Sequence, residues 1–137
     1  MKQMKGKVFA DSNILIYLLG GNGKKSVAEK IVSMQPIIST QVINENINVS
    51  GKKLKISLPD IEKHIEELIK TCTVKNITLK TIESAIIILK KYHYHYYDCL
   101  IIASALENKC STLYSEDMQH GQVIENKLTI INPFVKK

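Results

Sequence analysis

Four acidic residues, Asp11, Glu45, Asp98 and Asp117, stand beside apolar segments of the chain. Asp11 follows Val8-Phe9-Ala10, Glu45 sits among Val42, Ile43 and Ile47, Asp98 heads the apolar run from Cys99, and Asp117 follows Ser111 to Tyr114. Glu62, Glu66 and Glu67 lie instead on a polar helix face, where solvation accounts for them. A carboxylate near a core is costly unless a cation or hydrogen bonds compensate it, and several together repel one another. A shared divalent cation answers both costs. Oxygen-only ligands favour hard ions such as magnesium or manganese, and such an ion activates water and neutralises a phosphodiester under in-line attack. That chemistry is a nuclease's.

Each acid also has a simpler reading by itself. Asp11 suits a helix cap, Asp98 a first-turn acid favoured by the helix dipole, Glu45 the edge of an amphipathic stripe, and Asp117 a solvated loop position beside Glu116. The order and joint placement of the four carry the argument.

The elements that must position them follow from the apolar pattern. Lys7 to Ala10, Pro36 to Ser39, Ser111 to Tyr114 and Leu128 to Ile131 read as short strands. Helices are expected over Ile14 to Leu19, over Lys24 to Met34, and from a Thr40 cap to about Val49, followed by a basic turn from Ser50 to Lys55. Ser57-Leu58-Pro59-Asp60 opens the next helix, with Ile61, Ile65, Leu68 and Ile69 on one stripe. Thr78 opens another, with Leu79, Ile82, Ile86 and Leu89 aligned; Lys90 to Tyr97 reads as a connector, and Asp98 to Glu107 as a helix buried on most faces. Strands separated by helices predict an α/β three-layer sandwich with a mainly parallel central sheet, spanning residues 1–137 as one domain. In such sheets, functional groups collect beyond the carboxyl ends of the strands.

Composition narrows the class further. A chain of 137 residues with 45% hydrophobic residues can bury a core unaided, which excludes disordered and collagen-like readings. Cys72, Cys99 and Cys110 are odd in number and widely spaced, arguing against a disulfide scaffold or zinc ribbon and for a reducing cytoplasm. Lys2, Lys5 and Lys7 precede Ile14 to Leu19 as a leader's charges would, but Asp11-Ser12-Asn13 interrupts the pattern, so an unprocessed protein with no membrane segment is expected. The net charge is +6, and every basic residue other than histidine is a lysine. Lysine meets phosphate as a point charge, where arginine offers a fork. The excess attracts polyanions without specifying which.

The ordered motifs resemble the PIN-domain family, specifically the VapC-type toxins of bacterial toxin–antitoxin pairs. The pieces that carry the likeness are Val8-Phe9-Ala10-Asp11-Ser12-Asn13-Ile14-Leu15, Gln41-Val42-Ile43-Asn44-Glu45, Tyr97-Asp98-Cys99-Leu100-Ile101-Ile102-Ala103-Ser104-Ala105, and Leu113-Tyr114-Ser115-Glu116-Asp117-Met118-Gln119-His120-Gly121. The resemblance implies that Asp11, Glu45, Asp98 and Asp117 form a catalytic tetrad binding one or two Mg2+ or Mn2+ ions. It implies supporting roles for Asn13 and Ser115, with Glu116 as a neighbour that could replace Asp117 as the fourth acid. It further implies RNA cleavage by metal-activated water to 5′-phosphate and 3′-hydroxyl ends, a cognate antitoxin partner and a homodimer. The absence of arginine departs from many relatives and leaves the phosphate-binding groups open. The competing readings are a PIN-like RNA-binding module without turnover, and a receiver-like phosphate-handling domain, which leaves Glu45 together with Asp98 unexplained.

In Tyr92-His93-Tyr94-His95-Tyr96-Tyr97 the rings could stack on bases, but a packed connector is the default, and two histidines two apart do not share a helix face. Gly20-Gly21-Asn22-Gly23-Lys24-Lys25-Ser26 misses the phosphate-loop pattern at Leu18 and Lys25 and reads as a turn.

Overall fold

Val8, Phe9 and Ala10 are buried in succession, the pattern of a strand covered on both faces rather than one alternating between core and water. The computed structural model describes residues 6–20 and 23–135; Lys2, Lys5 and the Gly21-Asn22 pair lie outside them. The elements run β1 (Lys7–Ala10), α1 (Ser12–Leu15) tightening into a 3-10 turn (Ile16–Leu19), α2 (Lys24–Ser33), β2 (Ile37–Ser39), α3 (Thr40–Lys52), α4 (Leu58–Thr71) and β3 (Thr73–Lys75). They continue as α5 (Leu79–Lys91), α6 (Tyr96–Glu107), β4 (Cys110–Tyr114), β5 (Val123–Ile124) and β6 (Leu128–Ile131).

The strands form one sheet in the order β3-β2-β1-β4-β6-β5. All neighbours pair in parallel except β5, which runs antiparallel to β6. Helices flank this sheet in the predicted three-layer arrangement. Phe9, Ile38, Leu113 and Ile130, one from each of the four inner strands, are fully buried. From Cys99 to Ala105 every residue of α6 is buried, as a stretch apolar at every position but Ser104 requires.

Local chemistry sets the helix starts. Ser57 accepts from the Asp60 backbone N–H to cap α4, with Pro59 in the first turn, and Thr78 and Thr81 cap α5 reciprocally. Three of the boundaries nearest the site differ from the sequence expectation. The cap of α3 is Ser39, whose hydroxyl accepts from the Val42 N–H, so Thr40 is already helical. That helix runs on to Lys52 through part of the expected basic turn, because Asn46 and Ser50, polar in sequence, are buried on its inner face. Tyr96 and Tyr97 belong to α6, which places Asp98 inside its first turn.

After β1 the chain adds β2 and then β3 on one side; β4 returns beside β1, and β6 lies beyond it. The strand order therefore reverses between β1 and β4, and an open α/β sheet binds ligands at such a reversal. Asp11 leaves β1 there, and Ser115 to Asp117 leave β4 there. The Asp11 N–H donates to the Tyr114 carbonyl at 2.9 Å, extending the ladder to the brink of the site.

Candidate active site

Asp11 is 4% exposed and caps α1 through Ser12, whose backbone N–H donates to Oδ1 at 2.7 Å. Its other oxygen accepts from Ser115 Oγ at 2.8 Å and from Asn13 Nδ2 at 3.3 Å. The same Asn13 amide donates to Asp117 Oδ2 at 3.1 Å, while its carbonyl accepts the Glu116 N–H. One short side chain thus ties the end of β1 to the loop after β4. Ser12 Oγ reaches across to Glu45 Oε1 at 2.8 Å. Gln41, one turn before Glu45 on α3, donates Nε2 to Glu45 Oε2 at 3.2 Å and to the Tyr97 carbonyl at 3.0 Å, immediately before Asp98.

These contacts border a cleft of about 460 Å³ whose walls include Asp11, Glu45, Asp98 and Asp117. Four segments far apart in sequence supply one acid each. Lys53, from the turn after α3, is the single lysine lining the cleft, and it makes no ion pair among the described residues. Glu116 faces elsewhere. Its carboxylate accepts from Tyr17 and Lys24, and the Lys24 ammonium lies 4.9 Å from the ring centres of both Tyr17 and Phe134. Only the Glu116 backbone supports the site, through Asn13.

The electrostatics follow from this crowding. Burial pushes the Asp11 carboxyl up from 3.8 to about 7; the Ser115 and Ser12 hydrogen bonds oppose the rise, and the charges of Glu45 and Asp98 add to it. Asp98 is also raised, by burial first and then by Asp117, with His95 opposing and Glu45 adding. The site concentrates negative charge that the protein's own cations do not neutralise. The donors are all carboxylate oxygens, the set a hard divalent cation takes. Among the described residues no three of these acids close a complete cage.

Several residues at the site were not singled out in the sequence as parts of it: Ser12, Gln41, Asn46 and Lys53. Gln41 precedes Glu45 by four residues, the spacing that puts two helical side chains side by side, so its signal was present. Asn46 is fully buried, donates to the carbonyls of Ser12 and Val42, and accepts from His64 Nε2 at 2.8 Å. Burial lowers the His64 pKa, consistent with a neutral ring donating that bond. His120 accepts the Asn132 N–H at 3.0 Å as a loop cap, and Cys99 is fully buried in the core.

Sheet order, reversal point and acid-lined cleft define a mainly parallel α/β domain with four carboxylates gathered where its strand order reverses. A family model described as the PIN domain matches residues 8–125, and the chain belongs to that family. Two solved structures share the fold. A toxin–antitoxin complex from Klebsiella pneumoniae aligns with TM-score 0.70 and 21% identity, covering 93% of this chain and 98% of the other. VapC20 of Mycobacterium tuberculosis, described as a sarcin-ricin loop cleaving toxin, aligns with TM-score 0.66 and 16% identity over 81% of this chain and 90% of its own. A comparison with curated proteins gave no match. Among the described residues no helix is long and apolar enough to cross a membrane.

Proposed function

We propose that the protein is a metal-dependent endoribonuclease and the toxin of a VapC-type toxin–antitoxin pair, acting in the cytoplasm as one domain over residues 1–137. The observation that carries this reading is the single cleft shared by Asp11, Glu45, Asp98 and Asp117 at the strand-order reversal. Asp11 and Asp98 would hold a magnesium or manganese ion, with Asp117 and Glu45 completing the acidic rim or a second ion's site. The cation would supply an activated water and neutralise charge developing on the phosphodiester.

The chain's own residues have distinct tasks. Ser115 and Ser12 keep the Asp11 carboxylate oriented, Asn13 fixes Asp117 relative to Asp11, and Gln41 with Ser12 holds Glu45 at the opposite wall. Such hydrogen-bonded support sets ligand orientation. Leu58, Ile69, Leu79 and Ile87, apolar side chains each more than half exposed, would be the contacts to probe for an antitoxin partner or a homodimer.

The test is cleavage of an RNA panel by purified protein with magnesium or manganese. Asp98→Asn should lower the rate at least about a hundredfold while circular dichroism is unchanged; equal cleavage by the folded variant would exclude Asp98 from the chemistry. RNA bound but never cut under any divalent cation would favour the binding-module reading.

A further inference from the structure

The four tyrosines of the run before Asp98 divide, in three dimensions, into three with structural roles and one without. Tyr92 hydroxyl donates to Glu125 and accepts that residue's N–H, and Tyr94 hydroxyl donates to Gln122 and accepts the Gln119 N–H. Tyr96 is half-buried and packs against the core. Tyr97 is 64% exposed. Its ring meets the edge of Tyr96 at a centroid distance of 5.4 Å and an interplanar angle of 65°, and its backbone carbonyl is held by Gln41, so the exposed ring is braced by Tyr96 on an anchored backbone.

Tyr97 lines a second groove of about 460 Å³ that shares Glu45 and Asn48 with the acid cleft. Ile77 and Leu100 give this groove apolar walls, while Asn44 and Asn48, neighbours at i and i+4 on α3, offer amides. Apolar walls, a braced aromatic ring and amides that donate and accept match a nucleobase, which presents π-faces to stack and an edge of donors and acceptors. We propose that this groove is a subsite for one unpaired base of the RNA strand, stacked on Tyr97 and contacted at its edge by Asn44 and Asn48. The inference rests on the endoribonuclease reading and deepens it. With the groove opening directly onto Glu45, the bound base lies close in the strand to the phosphate over the acids. The enzyme then selects its cleavage position by base identity, since lysine contacts to phosphate carry no sequence information.

The test is fluorescence-anisotropy binding of a single-stranded RNA of about ten nucleotides, with excess chelator so that nothing is cut, and of a set of copies each carrying one abasic position. Removing a stacking ring costs about 1 to 3 kcal/mol, so Tyr97→Ala should weaken binding roughly five- to 150-fold, with Tyr97→Phe close to wild type. One abasic position should reproduce that loss, and the two losses should not add, because both delete the same contact. The slope of log affinity against log salt should stay unchanged in Tyr97→Ala, since no phosphate contact is removed. Unaltered affinity in Tyr97→Ala would overturn the proposal, as would an abasic penalty that persists in full in that variant. A change confined to the protein's mass in solution would overturn it too, assigning the ring to a protein interface. The two readings fail separately: tyrosine-dependent binding without cleavage in any metal keeps the subsite and removes the nuclease, and cleavage with no effect of Tyr97 on binding does the reverse.

Discussion

Replacing Asp11 with asparagine should stabilise the fold at pH 8 and lose that advantage near pH 4. The Asp11 carboxyl is raised from 3.8 to about 7 in the folded protein, so between those values the folded state holds a proton that the unfolded chain releases. Stability therefore falls as pH rises through the window, and the full cost is present above about pH 7. Roughly three pH units at about 1.4 kcal/mol each set a ceiling near 4 kcal/mol. Asparagine removes the buried charge but turns an N–H group toward Ser115 and Asn13, whose donors now meet an acceptor in Asp11. One or two hydrogen bonds lost at about 1 kcal/mol each leave a net gain of about 2 kcal/mol, or about 7 °C in melting temperature for a chain of this length. Urea denaturation followed by far-ultraviolet circular dichroism at pH 4 and pH 8 measures it. Magnesium at ten times its dissociation constant should return about 1.4 kcal/mol to the wild type at pH 8 and much less to the variant. An asparagine protein weaker than wild type at pH 8, or equally displaced at both pH values, would refute the electrostatic account of the cleft.

Two further substitutions separate positioning from attraction. Gln41→Ala should lower the cleavage rate about tenfold while leaving folding stability within about 1 kcal/mol, because the lost bonds to Glu45 and Tyr97 are offset by removing Oε1, a buried oxygen without a hydrogen-bond partner; steady-state kinetics beside urea titration checks both. Lys53→Ala should raise KM several-fold with little change in kcat and flatten the salt dependence of single-strand binding by about 0.7 in slope, as expected for one lost phosphate contact. An unchanged slope would leave Lys53 without contact to the RNA.

The sheet was legible in proportion to the burial of its strands. The runs Val8-Phe9-Ala10 and Ile37-Ile38 are apolar because they are covered, and the sequence declares them. Thr73–Lys75 is an edge strand with two exposed residues of three, and its Thr-Val-Lys alternation is too short to stand out after the helix that precedes it. Val123–Ile124 escapes for a different reason: its turn to β6 puts Glu125 and Asn126 at positive φ, 53° and 57°, without the glycine that usually marks such a turn. The four acids were visible through their apolar neighbours. Their hydrogen-bond donors were harder to see, since Ser12 and Gln41 matter through contacts with partners on other elements, and Glu116, adjacent to Asp117, turns to Lys24 because side chains of successive loop residues diverge.

The ladder between β1 and β4 joins segments far apart along the chain. Asp11 takes a hydrogen bond from Ser115, 104 residues later, and the Ser115 N–H in turn donates to the Ile131 carbonyl. A nascent chain therefore carries Asp11 through 104 further residues of synthesis before Ser115 is made, and closing so long a stretch is slow compared with local helix formation. Asp11 meets its Ser115 partner only after β4 has been made and has paired with β1.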